Sequence, residues 1–149
     1  MNITDKLETE EKELASMSQR AISFTIDDII ISILILIAHY DMLTKFEISS
    51  TQEIMNYLSS IMMQLYFLKV AYDGFFVWLY GATPGKMIMS IKVVSIYDLE
   101  KPDLIFSIIR SVGKIISTLL FYLGFLWAFY DKNNMSWQDK AAKTIVIKD

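Results

Sequence analysis

The reading of this chain turns on residues 20–40, RAISFTIDDIIISILILIAHY, an almost unbroken aliphatic run that holds two adjacent aspartates, Asp27 and Asp28. About 20 apolar residues suffice for a helix to cross the hydrocarbon core of a bilayer. Each Ile, Leu or Phe favours insertion by about 0.3–0.6 kcal/mol and each central Asp opposes it by about 2.5–3.5 kcal/mol, so the two sums nearly cancel. The run is therefore expected to span, but only with partners that satisfy both acids. On a helical wheel Arg20, Ser23 and Asp27 share one polar stripe, while Thr25, Asp28, Ser32 and His39 share another about a third of a turn away.

Two further apolar blocks follow, at residues 58–80 and 104–130, in a chain of 149 residues that is 54% hydrophobic. That size and composition point to one small membrane domain. The second block ends at Trp78 and Tyr80, where an interfacial aromatic belt belongs, and holds Lys69 and Asp73 four residues apart. This spacing predicts that the two partly neutralise each other on one helix face. If the two spans are antiparallel, Asp73 lies at nearly the depth of Asp27 and Asp28. Arg20 and Lys69 against these three aspartates leave one carboxylate unmatched, and a desolvated, unmatched carboxylate holds a proton or binds a cation. Asp27, Asp28 and Asp73 are thus the candidate ion- or proton-binding residues, with Arg20 and Lys69 as charge partners. The competing view is a closed polar network that only locks helices together.

In the third block Asp103, Ser107, Arg110, Lys114, Ser117 and Thr118 fall on one face of an amphipathic helix, and residues 119–130 are apolar and aromatic around Gly124. Either one long tilted helix crosses the membrane, or an interfacial helix is followed by a re-entrant return at Leu123 and Gly124. The β-branched stretches 91–97 and 144–148 read as strands, and neither is stable unless they pair. Pairing cannot occur across a bilayer, so it favours the return. The expected fold is mainly α: a small multi-pass helical bundle with two full spans, a third long or re-entrant segment, and a two-stranded β element near the cytoplasmic surface.

Residues 41–57 form a polar loop with Lys45 as its one cation. By the positive-inside rule it lies outside, which leaves the N-terminus and the lysine-bearing tail in the cytoplasm, as for a multi-pass protein of a bacterial inner membrane. Residues 1–19 carry five acids and lack the basic start of a cleaved leader, and they read as an acidic tail or a short amphipathic helix ahead of a membrane domain over 20–149. Ile3, Leu7, Leu14 and Met17 recur at near-helical spacing.

The absence of cysteine excludes thiolate chemistry and cysteine-ligated metals, and the single histidine, His39, sits near the outer end of the first span, where no Ser/His/Asp set or metal cluster can be assembled around it, so no metal, cofactor or enzymatic activity is expected. A net charge of −3 without a basic, aromatic-interleaved face sets nucleic acid aside. Gly81-Ala82-Thr83-Pro84-Gly85-Lys86 superficially suggests a phosphate loop, but three residues rather than four separate the glycines and Met87 follows the lysine. A helix stop at the membrane surface, with Lys86 reaching lipid phosphates, explains it better.

Arg20 with Asp27 seven residues later, the 81–86 stretch running into Ile91-Lys92-Val93-Val94, then Arg110, Asp131 and Trp137-Gln138-Asp139-Lys140 resemble, as an ordered set, the membrane proteins of the RDD family. The resemblance covers nearly everything from Arg20 onward. It implies that Arg20 and Asp27 are the first two of the three residues that name the family, and that Asp139 is the third, with Asp28 and Asp131 as alternatives. Gly81, Thr83, Gly85, Lys86 and Arg110 complete the family-like positions. Gln138 stands where relatives usually carry histidine. Transport of ions or small ligands is proposed for such proteins.

Two functions are therefore expected to compete. One is a proton-coupled carrier of H⁺ against Na⁺, Li⁺ or K⁺, which two or three spans could build only as a homo-oligomer. The other is a non-catalytic scaffold that binds a partner or anionic lipid.

Overall fold

The computed structural model describes residues 3–45 and 50–149. Residues 1–2 of the N-terminal segment and 46–49 of the expected polar loop lie outside the described residues. The elements are α1 (Ile3–Thr9), α2 (Met17–Ala38), α3 (Tyr40–Lys45), α4 (Thr51–Tyr80), α5 (Pro84–Ile88), β1 (Ile91–Ser95), α6 (Leu104–Leu119), α7 (Leu123–Leu126), a 3₁₀ turn at Trp127–Phe129, α8 (Trp137–Ala141) and β2 (Thr144–Lys148).

Helix α2 starts at Met17, earlier than its apolar run, because Ser16 and Gln19 form a capping box. Each side chain satisfies the other's backbone N–H, two of the donors that a helix start leaves open. Its buried residues, Ser23, Asp27 and Ile31, are spaced by four, so the Arg20–Ser23–Asp27 stripe faces inward while Ile22, Ile29, Ile33 and Ile37 are exposed. Among the described residues α2 is the one single helix long and apolar enough to cross a membrane. The second expected span is a helix of 30 residues, about 45 Å long. It begins seven residues before the apolar block because Ser50 caps it, accepting from the Glu53 N–H at 3.2 Å. Those polar first turns, with Lys69 and Asp73 further on, leave α4 long enough to span but not apolar enough by composition.

Helix α4 stops at Gly81, whose φ of +72° suits a residue without Cβ. The Gly81 carbonyl accepts from the Val93 N–H at 2.7 Å, which ties the helix end to β1. Between them α5 lies against α2 so closely that a Cβ on Gly85 would stand 2.2 Å from the Ser23 carbonyl oxygen.

The two expected strands pair antiparallel, with Ile91 opposite Lys148, Val93 opposite Val146 and Ser95 opposite Thr144. The N-terminal segment joins them: Leu14 bridges Ile147, and the Ala15 N–H donates to Val146 at 3.0 Å. Leu14 and Met17 therefore do not continue the helix that carries Ile3 and Leu7, whose run ends at Thr9. Alternation along the strands sends Val94, Ile145 and Ile147 to one face, under Leu7 of α1, and Ile91, Val93 and Val146 to the other, against Val77 of α4. The sheet is thus covered on both faces.

Helix α6 is amphipathic as expected, burying Ser107, Arg110, Ser111 and Ser117 and exposing Ile105, Ile108, Ile109, Val112 and Ile116. It packs along α4 and α8. The chain then turns by 107° into Leu123–Phe129. Phe121 and Tyr122, with φ of +54° and +61°, make the turn, and Gly124 sits where a Cβ would meet Ser117 Oγ at 2.4 Å.

Candidate functional site: a buried charge network

Asp27, one helix turn beyond Ser23 on the inner stripe of α2, is 4% exposed. It accepts from Tyr72 Oη of α4 at 3.0 Å, from the Gly85 N–H at 2.8 Å and from Thr83 Oγ1 at 2.5 Å. All three donors are uncharged, and no described ion pair involves Asp27. The contact with the Gly85 N–H requires the close approach that only glycine permits here, since a Cβ at position 85 would also meet Asp27 Oδ1 at 2.8 Å.

Asp73, the neighbour of Tyr72, lies in the opposite environment. Lys114 Nζ stands 2.6 Å from it, Arg110 Nη1 3.6 Å and Lys86 Nζ 3.7 Å, and Ser111 Oγ donates at 2.9 Å. Lys86 Nζ also donates to Thr83 Oγ1 at 3.2 Å, and that hydroxyl in turn donates to Asp27. A continuous polar chain thus joins the two carboxylates through Lys86 and Thr83. Lys86 is 5% exposed, so the expected reach to lipid phosphates is corrected: Pro84 and Gly85 pack α5 against α2 and turn the lysine inward. Burial, and then the Lys114 ammonium, push the Lys86 amine down to about 7 against the opposing pull of Asp73.

Asp139 of α8, fully buried, holds the third node. Arg110 Nε donates to it at 3.0 Å, Arg20 Nη2 donates to its other oxygen, and Ser136 donates through Oγ at 2.6 Å and N–H at 3.1 Å. Arg20 also donates to the Asn134 carbonyl. Burial alone would raise the Asp139 carboxyl, but Arg20 and Arg110 outweigh it and hold the group well below the usual carboxylate range. The adjacent Gln138 is buried, with neither amide atom hydrogen-bonded. Asp131 lies apart, paired with Lys140 at 2.6 Å and accepting from the Asn133 and Met135 N–H groups. That lysine and those amides lower its carboxyl despite partial burial.

Two expected pairings are corrected. Lys69 does not pair with Asp73; it crosses to α2 and meets Asp28 at 2.9 Å. A same-helix pair contributes only about 0.2–0.5 kcal/mol, so it yields readily to partners on facing helices. Nor is Arg20 the cation of the span aspartates, because it reaches the tail. The network instead places Arg20, Lys86, Arg110 and Lys114 around Asp27, Asp73 and Asp139. Arg110 and Lys114, four residues apart on the polar face of α6, were visible as a pair in the sequence. Their meeting with Asp73 was not, and nothing local marked Tyr72, Ser111 or Ser136.

The structure is mainly helical, with one helix long and apolar enough to cross a membrane packed against helices that bury charged side chains between them. The RDD family model matches residues 14–143, most of the chain and all three nodes of the network, and the chain belongs to the RDD family. No curated protein and no solved structure matches it.

Proposed function

We propose that this chain is a multi-pass membrane protein that carries protons, coupled to a small monovalent cation, through the buried network. The observation that carries the reading is Asp27, a buried carboxylate with only uncharged donors, linked by Thr83 and Lys86 to a cluster of cations. Ionised groups inside a membrane domain cost several kcal/mol each in desolvation, and such groups mark transport paths and proton relays.

The topology that goes with this reading follows from the sheet. The segment before α2, β1 after α4, and β2 after α8 all meet at one end of the molecule. If α2 and α4 cross the bilayer, α6 and the chain after its 107° bend enter and return on that same side, so the crossings are even in number. The positive-inside rule places that side in the cytoplasm, with both termini. Two crossings enclose little volume, and a homodimer would complete a path.

A scaffold reading is favoured by a different observation: Asp28, Asp73 and Asp139 each have a cationic partner, as a permanent lock would have them. Proteoliposomes carrying a pH-sensitive dye separate the two. Alkalinisation or acidification of the lumen when Na⁺, Li⁺ or K⁺ is added outside supports transport. A folded, correctly inserted protein that moves no protons with any of the three would leave the scaffold.

A further inference from the structure

Asp28, from the second polar stripe of α2, has no part in the network, yet it borders a cavity. This cavity, of about 30 Å³, lies between α2, α4 and α6, and its walls include Asp28, Lys69, Asp73, Lys114, Thr118 and Phe24. One water needs roughly 10–15 Å³, so about two fit, and charged walls supply the polar partners they require. Most of its lining is apolar, and the polar partners that two waters would need come from the Asp28–Lys69 and Asp73–Lys114 pairs.

Its outer wall is thin. Asp28 and Phe24 belong both to the cavity and to an adjoining groove that continues along α2 past Ser32 to Leu36. The Asp28–Lys69 bridge that closes the mouth is about a quarter to a third exposed, whereas Asp73 behind it is 6% exposed in its side chain. The Phe24 ring lies under both ammonium groups, 5.9 Å from Lys69 and 5.4 Å from Lys114. A cation held over a ring face is attracted weakly enough to leave it.

We infer that the cavity is a hydrated antechamber through which the network exchanges protons with the medium, and that the Asp28–Lys69 bridge and the Phe24 ring form its gate. The inference rests on the transport reading for its purpose, but the hydration and the gate are physical claims in their own right. Asp28 and Lys69 then act as gate residues rather than as carriers, and Thr118, deep on α6 beside the bend, lies on a water-reachable wall.

The native chain has no cysteine, which makes single-cysteine labelling clean. Thr118 donates only to the Lys114 carbonyl of its own helix, so Thr118→Cys is a mild change. Ile116→Cys, on the exposed apolar face nearby, is the comparison. In proteoliposomes a small cationic methanethiosulfonate should modify the cysteine at 118 above the background set by that at 116, on the apolar face turned to lipid, and Phe24→Ala should accelerate the reaction at 118 several-fold. Reaction at 118 no faster than at 116, or a rate indifferent to Phe24→Ala, would overturn the antechamber. Access at 118 without any proton flux would retain it and overturn transport; flux without access would do the reverse.

Discussion

The two ends of this molecule are stabilised by opposite means. Around β1 and β2 the interior is hydrocarbon: Ile145 and Ile147 meet Leu7 on one face, and Val146 meets Val77 on the other. A few helix turns away, where α2, α4, α5, α6 and α8 meet, the interior is ionic, with Asp73 among three cations and Asp139 between two arginines. Hydrophobic burial is nondirectional and tolerates small changes of shape. An ionic interior stands only while every charge keeps its partner, so losing one partner costs far more than the pair contributes. The sheet end can therefore serve as the platform, and the network end as the part whose state can be changed.

The widest gap between the two ends should appear with Asp139→Asn, which leaves Arg20 and Arg110 facing each other without a carboxylate. A loss of about 3–5 kcal/mol is expected, read by thermal unfolding in detergent. A loss below about 1 kcal/mol would mean that the node contributes nothing the serine and backbone donors do not, on the scale of an ordinary hydrogen bond.

Lys86 sharpens the contrast through pH. Its ordinary value is 10.5 and its buried value about 7, so between these limits the unfolded chain holds one more proton than the folded protein. Stability from this group therefore rises as pH climbs from about 7 to 10.5, with a slope of at most about 1.4 kcal/mol per pH unit. Lys86→Met removes that slope, and wild-type and variant curves that run parallel across the window would contradict the burial described.

At the hydrocarbon end, Ile147→Val should cost only about 0.5–1.5 kcal/mol and be insensitive to pH and salt. Smallest is the gate. A double-mutant cycle on Asp28 and Lys69 should give a coupling of about 0.2–1 kcal/mol, because both side chains are partly exposed. The corresponding cycle on Lys69 and Asp73 should be additive. Coupling in the second cycle but not the first would restore the same-helix pair that the spacing alone suggested.

What could be read from the sequence divides along the same line. The strands and their pairing were legible because β-branched alternation is a local signal, and the inward stripe of α2 because Arg20, Ser23 and Asp27 repeat at helical spacing. The charge partners were not. Arg20 meets a residue 119 positions away, and Lys69 reaches across to α2 instead of along its own helix. Wheel geometry places residues on a face but cannot say which helix comes to meet them. The fold-back after α6 was half legible: the apolar block is too long for its amphipathic start, but the turn uses Phe121 and Tyr122, where a left-handed residue is ordinarily Gly or Asn. Lys86 misled because a lysine after a Pro-Gly turn reads as a surface residue, and only the close approach at Gly85 brings it inside.

Proton movement in proteoliposomes, with Asp27→Asn set beside Ile147→Val in equally folded preparations, tests the division of labour most directly. The account predicts that Asp27→Asn abolishes cation-driven flux while Ile147→Val, though less stable, keeps it. Flux that survives Asp27→Asn, or that falls in both variants in proportion to their stability, would contradict it.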